Sequence, residues 1–255
     1  MLFLRLLIIA LLIYTGFGVY LYFAQRSFIY LPARDEHPGD DNFIRVQSNG
    51  ESLKIWQVSP DRDRAVIYFG GNAEDVFYNI PELSKALPGH SLYLVNYRGY
   101  GGSSGNPTEQ GLFADALAIF DQLQQQYGQV SVIGRSLGSG VAVYLAGRRP
   151  VDRLILATPH DSALAIAKKA YPFYPVSLML KDKYQSTRYA PQVSAPTLLL
   201  IAGNDEIIPV QHSLNLYDRF KAGVAEKTII PGADHNNLSF FPQYWEEIGR
   251  FLTEP

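Results

Sequence analysis

Gln129 to Arg149 reads QVSVIGRSLGSGVAVYLAGRR. Val130, Val132 and Ile133 form a short β-branched apolar run, the pattern of a buried strand. Leu137, Val141, Tyr144 and Leu145 then recur at helical spacing, so a helix is expected to follow at once. Between the two lies Gly134-Arg135-Ser136-Leu137-Gly138, a G-x-S-x-G. A strand that becomes a helix within so few residues forces a tight backbone on its apex residue. Glycine on either side removes the Cβ atoms that would clash there. The apex serine is then presented at a helix N-terminus, where free N–H groups and the helix dipole favour developing negative charge. This is the strand–turn–helix context of a nucleophile elbow.

Composition narrows the classes around this stretch. The chain has 255 residues, 47 % hydrophobic and 18 % charged, which is globular and long enough for a full core. Net charge is −2 and there is no basic block, so nucleic acid is not an expected partner. With no cysteine, disulfides, thiolate catalysis and cysteine-ligated zinc are excluded. No H-E-x-x-H or clustered His/Asp pattern occurs, so neither a metal nor a cofactor is expected. The five histidines are His37, His90, His160, His212 and His235, and a base for Ser136 is sought among them.

Upstream, Leu6 to Ala24 is free of charge (LLIIALLIYTGFGVYLYFA). As a helix it is about 28 Å long, close to the hydrocarbon thickness of a bilayer. Tyr20, Tyr22, Phe23, Phe28 and Tyr30 gather at its C-terminal end, as interfacial aromatics do. A cleaved signal peptide is the competing reading, but the run is long for an h-region and no clear Ala-x-Ala site follows. Residues 1–30 are therefore expected to be a membrane anchor, and 31–255 one catalytic domain. Arg5 before the span and Arg26 and Arg34 after it nearly balance, which leaves the side of the membrane open.

Pro32 to Asp41 reads as a polar connector. Strands are expected at Ser52–Val58, Ala65–Phe69, Ser91–Val95, Arg153–Ala157, Thr197–Ala202 and Lys227–Ile230. Helices are expected at Ala73–Leu87, after the cap Thr108, after the elbow, and at the end of the chain, where Tyr244, Trp245, Ile248, Phe251 and Leu252 share a face. This alternation predicts an α/β fold, a mostly parallel sheet covered on both sides. Residues 159–190 break it with Pro159, Pro172, Pro175 and the apolar run Val176–Leu180, and are expected to form a small lid. The Gly99–Gly105 loop is not G-x-G-x-x-G, since residue 104 is Ser, and a dinucleotide role is rejected. His160-Asp161, also at a strand C-terminus, is expected to cap the helix that follows, with contact to substrate as the alternative.

A serine hydroxyl needs a base to take its proton and a carboxylate to orient that base. Behind an elbow the chain order is serine, acid, histidine. Asp205 follows the apolar run Thr197–Ile201, and His235 follows Thr228–Ile230, each in a loop just past a strand. Parallel strands end on the same side, so Ser136, Asp205 and His235 are expected to converge. Asp234 and Glu206 compete as the acid; Asp234, next to His235, is poorly placed to reach the far side of its ring. Two backbone donors are expected for an oxyanion: the N–H of Leu137, and one from Gly70-Gly71-Asn72-Ala73, with Asn72 ahead of Ala73.

With these residues in place, the chain resembles the α/β-hydrolase superfamily. Within it, the resemblance is to membrane-anchored serine hydrolases of the bud-emergence type, relatives of the protein-depalmitoylating α/β-hydrolase-domain proteins. The matching pieces are RSFIYLP (26–32), FGGNA (69–73), NYRGYGGSSG (96–105), PTEQGL (107–112), GRSLG (134–138), GNDEIIP (203–209) and GADH (232–235). The resemblance implies an esterase- or thioesterase-like serine hydrolase with Ser136, Asp205 and His235 as its triad. The implied partners are an acyl ester or thioester, lipid-like in view of the anchor and lid, and a membrane. The same triad also cleaves amides, and a non-catalytic membrane-tethered binding protein is the rival class. The family usually has His-Gly-Asn-Ala where this chain has Gly70-Gly71-Asn72-Ala73, which raises the question of what braces the oxyanion loop here.

Overall fold

A computed structural model describes residues 1–37 and 39–253. Pro38, within the expected connector, and the last two residues of the expected 31–255 domain lie outside the described residues. The strands are β1 (Phe43–Ser48), β2 (Glu51–Val58), β3 (Arg64–Phe69), β4 (His90–Val95), β5 (Gln129–Arg135), β6 (Leu154–Ala157), β7 (Thr197–Ala202) and β8 (Ala225–Ile230). The helices are α1 (Leu2–Ile29), α2 (Ile80–Ala86), α3 (Glu109–Gln124), α4 (Leu137–Ala146), α5 (Ala163–Ala170), α6 (Val176–Met179), α7 (Ser186–Tyr189), α8 (Val210–Tyr217) and α9 (Pro242–Thr253).

The described residues form one eight-stranded sheet of order β1-β2-β4-β3-β5-β6-β7-β8. β1 and β2 pair antiparallel, as do β2 and β4; every other neighbouring pair is parallel. From β3 the chain steps one way to β4, then returns to lay β5 on the other side of β3. That reversal makes the carboxyl ends of β3 and β5 the switch point at which α/β sheets bind their ligands. Alternate residues of each strand enter opposite cores. Val132 and Leu156 lie with α3 and α4, while Ile133 and Ile155 lie with α2 and α9. Strands buried on both faces read as continuous apolar runs, which is why they were legible.

Three elements differ from the sequence expectations. β1 was not foreseen, because Phe43–Ser48 has only two fully buried positions. The helix expected at Ala73–Leu87 begins late: the Asp75 carboxylate accepts the Phe77 N–H and holds a 3-10 turn at Val76–Asn79 ahead of α2. α8 follows β7, in a stretch that showed no apolar face strong enough to read. Thr108 caps α3 as expected, its hydroxyl accepting the Gly111 N–H at 2.9 Å.

Residues 159–190 carry α5, α6 and α7. They lie along α1. The Tyr14 hydroxyl donates to the Phe173 carbonyl (2.6 Å), Arg26 pairs with Asp182 (2.8 Å), and the Tyr30 and Tyr184 hydroxyls meet at 2.9 Å. Asp182 also accepts the Glu109 N–H at the start of α3. α1 is thus fastened to this segment along half of its length. Gly18 and Gln25 are buried in this contact, but the rest of α1 is exposed or half-exposed, and an 18-residue window of it has a mean hydropathy of 2.3, long and apolar enough to cross a bilayer.

Candidate active site

The elbow is built by close packing. A Cβ on Gly134 would meet the Gly138 carbonyl and the Ala142 methyl, and one on Gly138 would collide with the Phe69 carbonyl of β3. Side chains at either position would push α4 off the sheet. Ser136, between them, has φ 50° and ψ −114°, a conformation L residues rarely adopt. Its N–H is held by the Ala157 carbonyl at 2.9 Å, which fixes the turn to β6.

Ser136, Asp205 and His235 come together. With the carboxylate facing His235 Nδ1, the ring proton is assigned there. Nδ1–H donates to Asp205 Oδ2 at 2.7 Å, and the Ser136 hydroxyl donates to Nε2 at 2.9 Å. Asp205 is 7 % exposed, and its other oxygen accepts the Ile207 and Ile208 N–H groups. The two loops are joined by the Asn204 N–H on the Ala233 carbonyl (2.8 Å). Asp234 is turned to its own loop, where it accepts the Asn236 and Asn237 N–H groups, and Glu206 is exposed. Among the described residues, the N–H groups of Leu137, Asn72 and Ala73 have no hydrogen-bond partner, so all three remain available as donors. The Asn72 side chain is engaged: its Oδ1 accepts the Leu31 N–H (2.8 Å) and the Tyr100 hydroxyl (3.3 Å).

The oxyanion loop is braced by a residue pair that sequence reasoning missed. A Cβ on Gly70 would stand 2.6 Å from Val76 Cγ1, so a histidine has no room there. Instead Glu74 accepts the Gly71 N–H (2.6 Å) and the Arg135 guanidinium (2.7 Å) through one oxygen. Its other oxygen takes the Tyr68 hydroxyl and the Asn79 amide. Arg135 reaches on to the His235 carbonyl at 3.1 Å. Burial works against its charge, but the Glu74 carboxylate outweighs that, and its pKa is raised. One guanidinium thus ties the oxyanion loop, the elbow and the histidine loop together. The signal was a charge inside the G-x-S-x-G itself, at the edge of a buried strand.

His160 and Asp161 do not cap α5; the Ser162 hydroxyl does, accepting the Ala165 N–H at 3.0 Å. Asp161 pairs with His212 (2.9 Å) and Asn215. His160 lies buried behind the elbow, 3.3 Å from the Ser139 hydroxyl, and burial lowers its pKa to about 4. It is a neutral packing group below the site.

Comparisons with known proteins agree with this architecture. Residues 64–186 match the family model of the alpha/beta hydrolase fold. An uncharacterised protein of Mycobacterium tuberculosis is 34 % identical over 96 % of this chain and 93 % of its own length. The chain belongs to the α/β-hydrolase superfamily. The alpha/beta hydrolase domain-containing protein aho-3 of Caenorhabditis elegans is 29 % identical over 76 % of this chain and 58 % of its own. Among solved structures, the Pyrococcus furiosus esterase Pf2001 superposes with a TM-score of 0.71 at 18 % identity, covering 88 % of this chain and 96 % of the esterase. Est1E of Butyrivibrio proteoclasticus, solved with ferulic acid bound, gives 0.66 at 17 % identity over 83 % of this chain and all (100 %) of Est1E.

Removing Arg135 leaves the Glu74 carboxylate buried without its counter-charge. Arg135→Met is expected to lower unfolding free energy by about 3–5 kcal/mol. Arg135→Met combined with Glu74→Gln should lose distinctly less, as read by urea unfolding; additive losses would contradict the coupling. For His160, the unfolded chain takes up a proton between its ordinary 6.5 and the native value of about 4. Its contribution to stability is therefore complete above pH 6.5 and falls as pH drops toward 4. Urea midpoints across that range should decline more steeply for the wild type than for His160→Gln, and parallel declines would refute the assignment.

Proposed function

We propose that this protein is a membrane-anchored serine hydrolase that cleaves acyl esters or thioesters through an acyl-enzyme intermediate. The observation that carries the reading is the continuous hydrogen-bonded line Ser136 Oγ–His235–Asp205, at 2.9 and 2.7 Å. His235 Nε2 takes the Ser136 proton as Oγ attacks the acyl carbonyl. The carbonyl oxygen becomes an oxyanion held by the Leu137 N–H and the Asn72 N–H. Asp205 keeps the ring in the required tautomer and stabilises its charged form. The tetrahedral adduct collapses as His235 returns the proton to the departing alcohol or thiol, leaving the acyl group on Ser136. Water then gives a proton to His235 and attacks the acyl-enzyme, and the acid is released with Ser136 restored.

Residues 1–30 serve as the anchor, 31–255 as the hydrolase domain, and 159–190 as a lid-like insert. The bud-emergence type of hydrolase is the subfamily that the anchor, the FGGNA loop and the GADH segment support. The ester preference is in keeping with Pf2001, which shares the fold and is called an esterase. The chemistry draws on no metal or cofactor.

A fluorophosphonate probe tests the assignment. It should label the wild type on the peptide that contains Ser136. Ser136→Ala should abolish labelling and cut p-nitrophenyl ester or thioester hydrolysis at least roughly 1000-fold. A wild type that resists the probe and leaves those substrates untouched would favour a binding protein built on a hydrolase fold.

A further inference from the structure

The contacts between α1 and the 159–190 segment run in register along the helix. Phe173 and Tyr174 meet Tyr14, Lys181 lies over the Tyr22 ring at 4.4 Å, Asp182 meets Arg26, and Tyr184 meets Tyr30. Tyr14 and Tyr22 are eight positions apart on one helix, about 12 Å along its axis. The charge-free run Leu6–Ala24 is about 28 Å long, close to the thickness of a bilayer's hydrocarbon core. If α1 spans a membrane, its entry boundary lies near Tyr22 and Lys181. Phe173 then lies about 12 Å inside that boundary.

The segment between is made for that depth. Residues 171–180, YPFYPVSLML, carry no charge, with Lys168 and Lys169 before them and Lys181 after. Phe173 and Leu178 are each 85 % exposed at its tip, continuous with the bare apolar surface of α1. In hydrocarbon an unpaired backbone group is costly, and most of the backbone groups of this loop are paired or absent. Pro172 and Pro175 have no N–H. The Tyr174 and Val176 N–H groups bond the Tyr171 and Tyr174 carbonyls, and among the described residues of the loop the Phe173 and Ser177 N–H groups are left without a partner. The Phe173 carbonyl takes the Tyr14 hydroxyl, and the Tyr174 hydroxyl donates to the Tyr14 carbonyl, with the two rings stacked at 4.5 Å. In the seam lies a cavity of about 130 Å³ bounded by Leu21, Phe28, Tyr171, Tyr174, Met179 and Leu180. Such an apolar space suits a lipid tail better than water.

We propose that Tyr171–Leu180 is a second membrane-inserted element, which dips into the leaflet that α1 enters and has lipid as its partner, with Lys168, Lys169 and Lys181 at the headgroups. This rests on the anchor reading of α1. The lid segment is thereby held in the bilayer, with the seam cavity open to acyl chains.

The chain has no cysteine, so single substitutions give unique labelling sites. Full-length Leu7→Cys, Phe173→Cys, Leu178→Cys and Phe240→Cys, each carrying an environment-sensitive nitrobenzoxadiazole, are reconstituted into phosphatidylcholine–phosphatidylglycerol vesicles. Phe240, 82 % exposed on the domain, is the aqueous reference. Unfolding midpoints confirm that each variant is folded. Labels at positions 7, 173 and 178 should be quenched by doxyl-bearing lipid and be several-fold less sensitive to iodide than the label at 240. Lipid quenching at 7 with iodide quenching at 173 and 178 would overturn the proposal and leave the anchor standing. Iodide quenching at position 7 as well would overturn both. Labels at 173 and 178 shielded from both quenchers would assign the tip to a second copy of the chain and equally overturn it.

Discussion

One imidazole carries the arrangement. His235 bridges an oxygen of Asp205 and the hydroxyl of Ser136, and those three residues come from loops after β7, β8 and β5. No local pairing brings them together; the parallel sheet does. Its registers set Phe69 beside Gly134, Arg135 beside Ala157 and Ala202 beside Ile230, so the strands end level and their loops share one edge. The positive φ of Ser136 costs on the order of 1–3 kcal/mol. It persists because β3, β6 and α4 leave the elbow no other path.

The same edge is held from a second direction. The Leu31 N–H, two residues past α1, bonds the Asn72 side chain in the oxyanion loop. Tyr30 meets Tyr184, and the Tyr184 ring lies beside His160 behind the elbow. α1 is therefore no slack tether. Its end is joined to the loop that supplies one candidate oxyanion donor and to the segment that follows β6. Glu74 and Arg135 complete the brace on the other side.

Much of this was legible because it is local. The elbow, Asp205 and His235 each follow an apolar run, and each run became a strand. Thr108 announced its helix through a hydroxyl three residues from the N–H that it accepts. What stayed hidden is long-range or weakly patterned. Arg135 and Glu74 are 61 positions apart, and Asn72 and Leu31 are 41 apart. Neither pairing leaves a trace in periodicity. β1 is half-exposed, and α8 shows only two buried positions. His160-Asp161 misled because a carboxylate at a strand end fits a helix cap as well as it fits the hydrogen bond it makes with His212.

Ser136 and His235 are expected to act as one unit in acyl transfer, and a double-mutant cycle on p-nitrophenyl ester hydrolysis puts that pairing to the test. Because neither group works without the other, Ser136→Ala, His235→Ala and the double variant should retain the same residual rate. Losses that add, with the double variant far below either single one, would show that the two groups act independently.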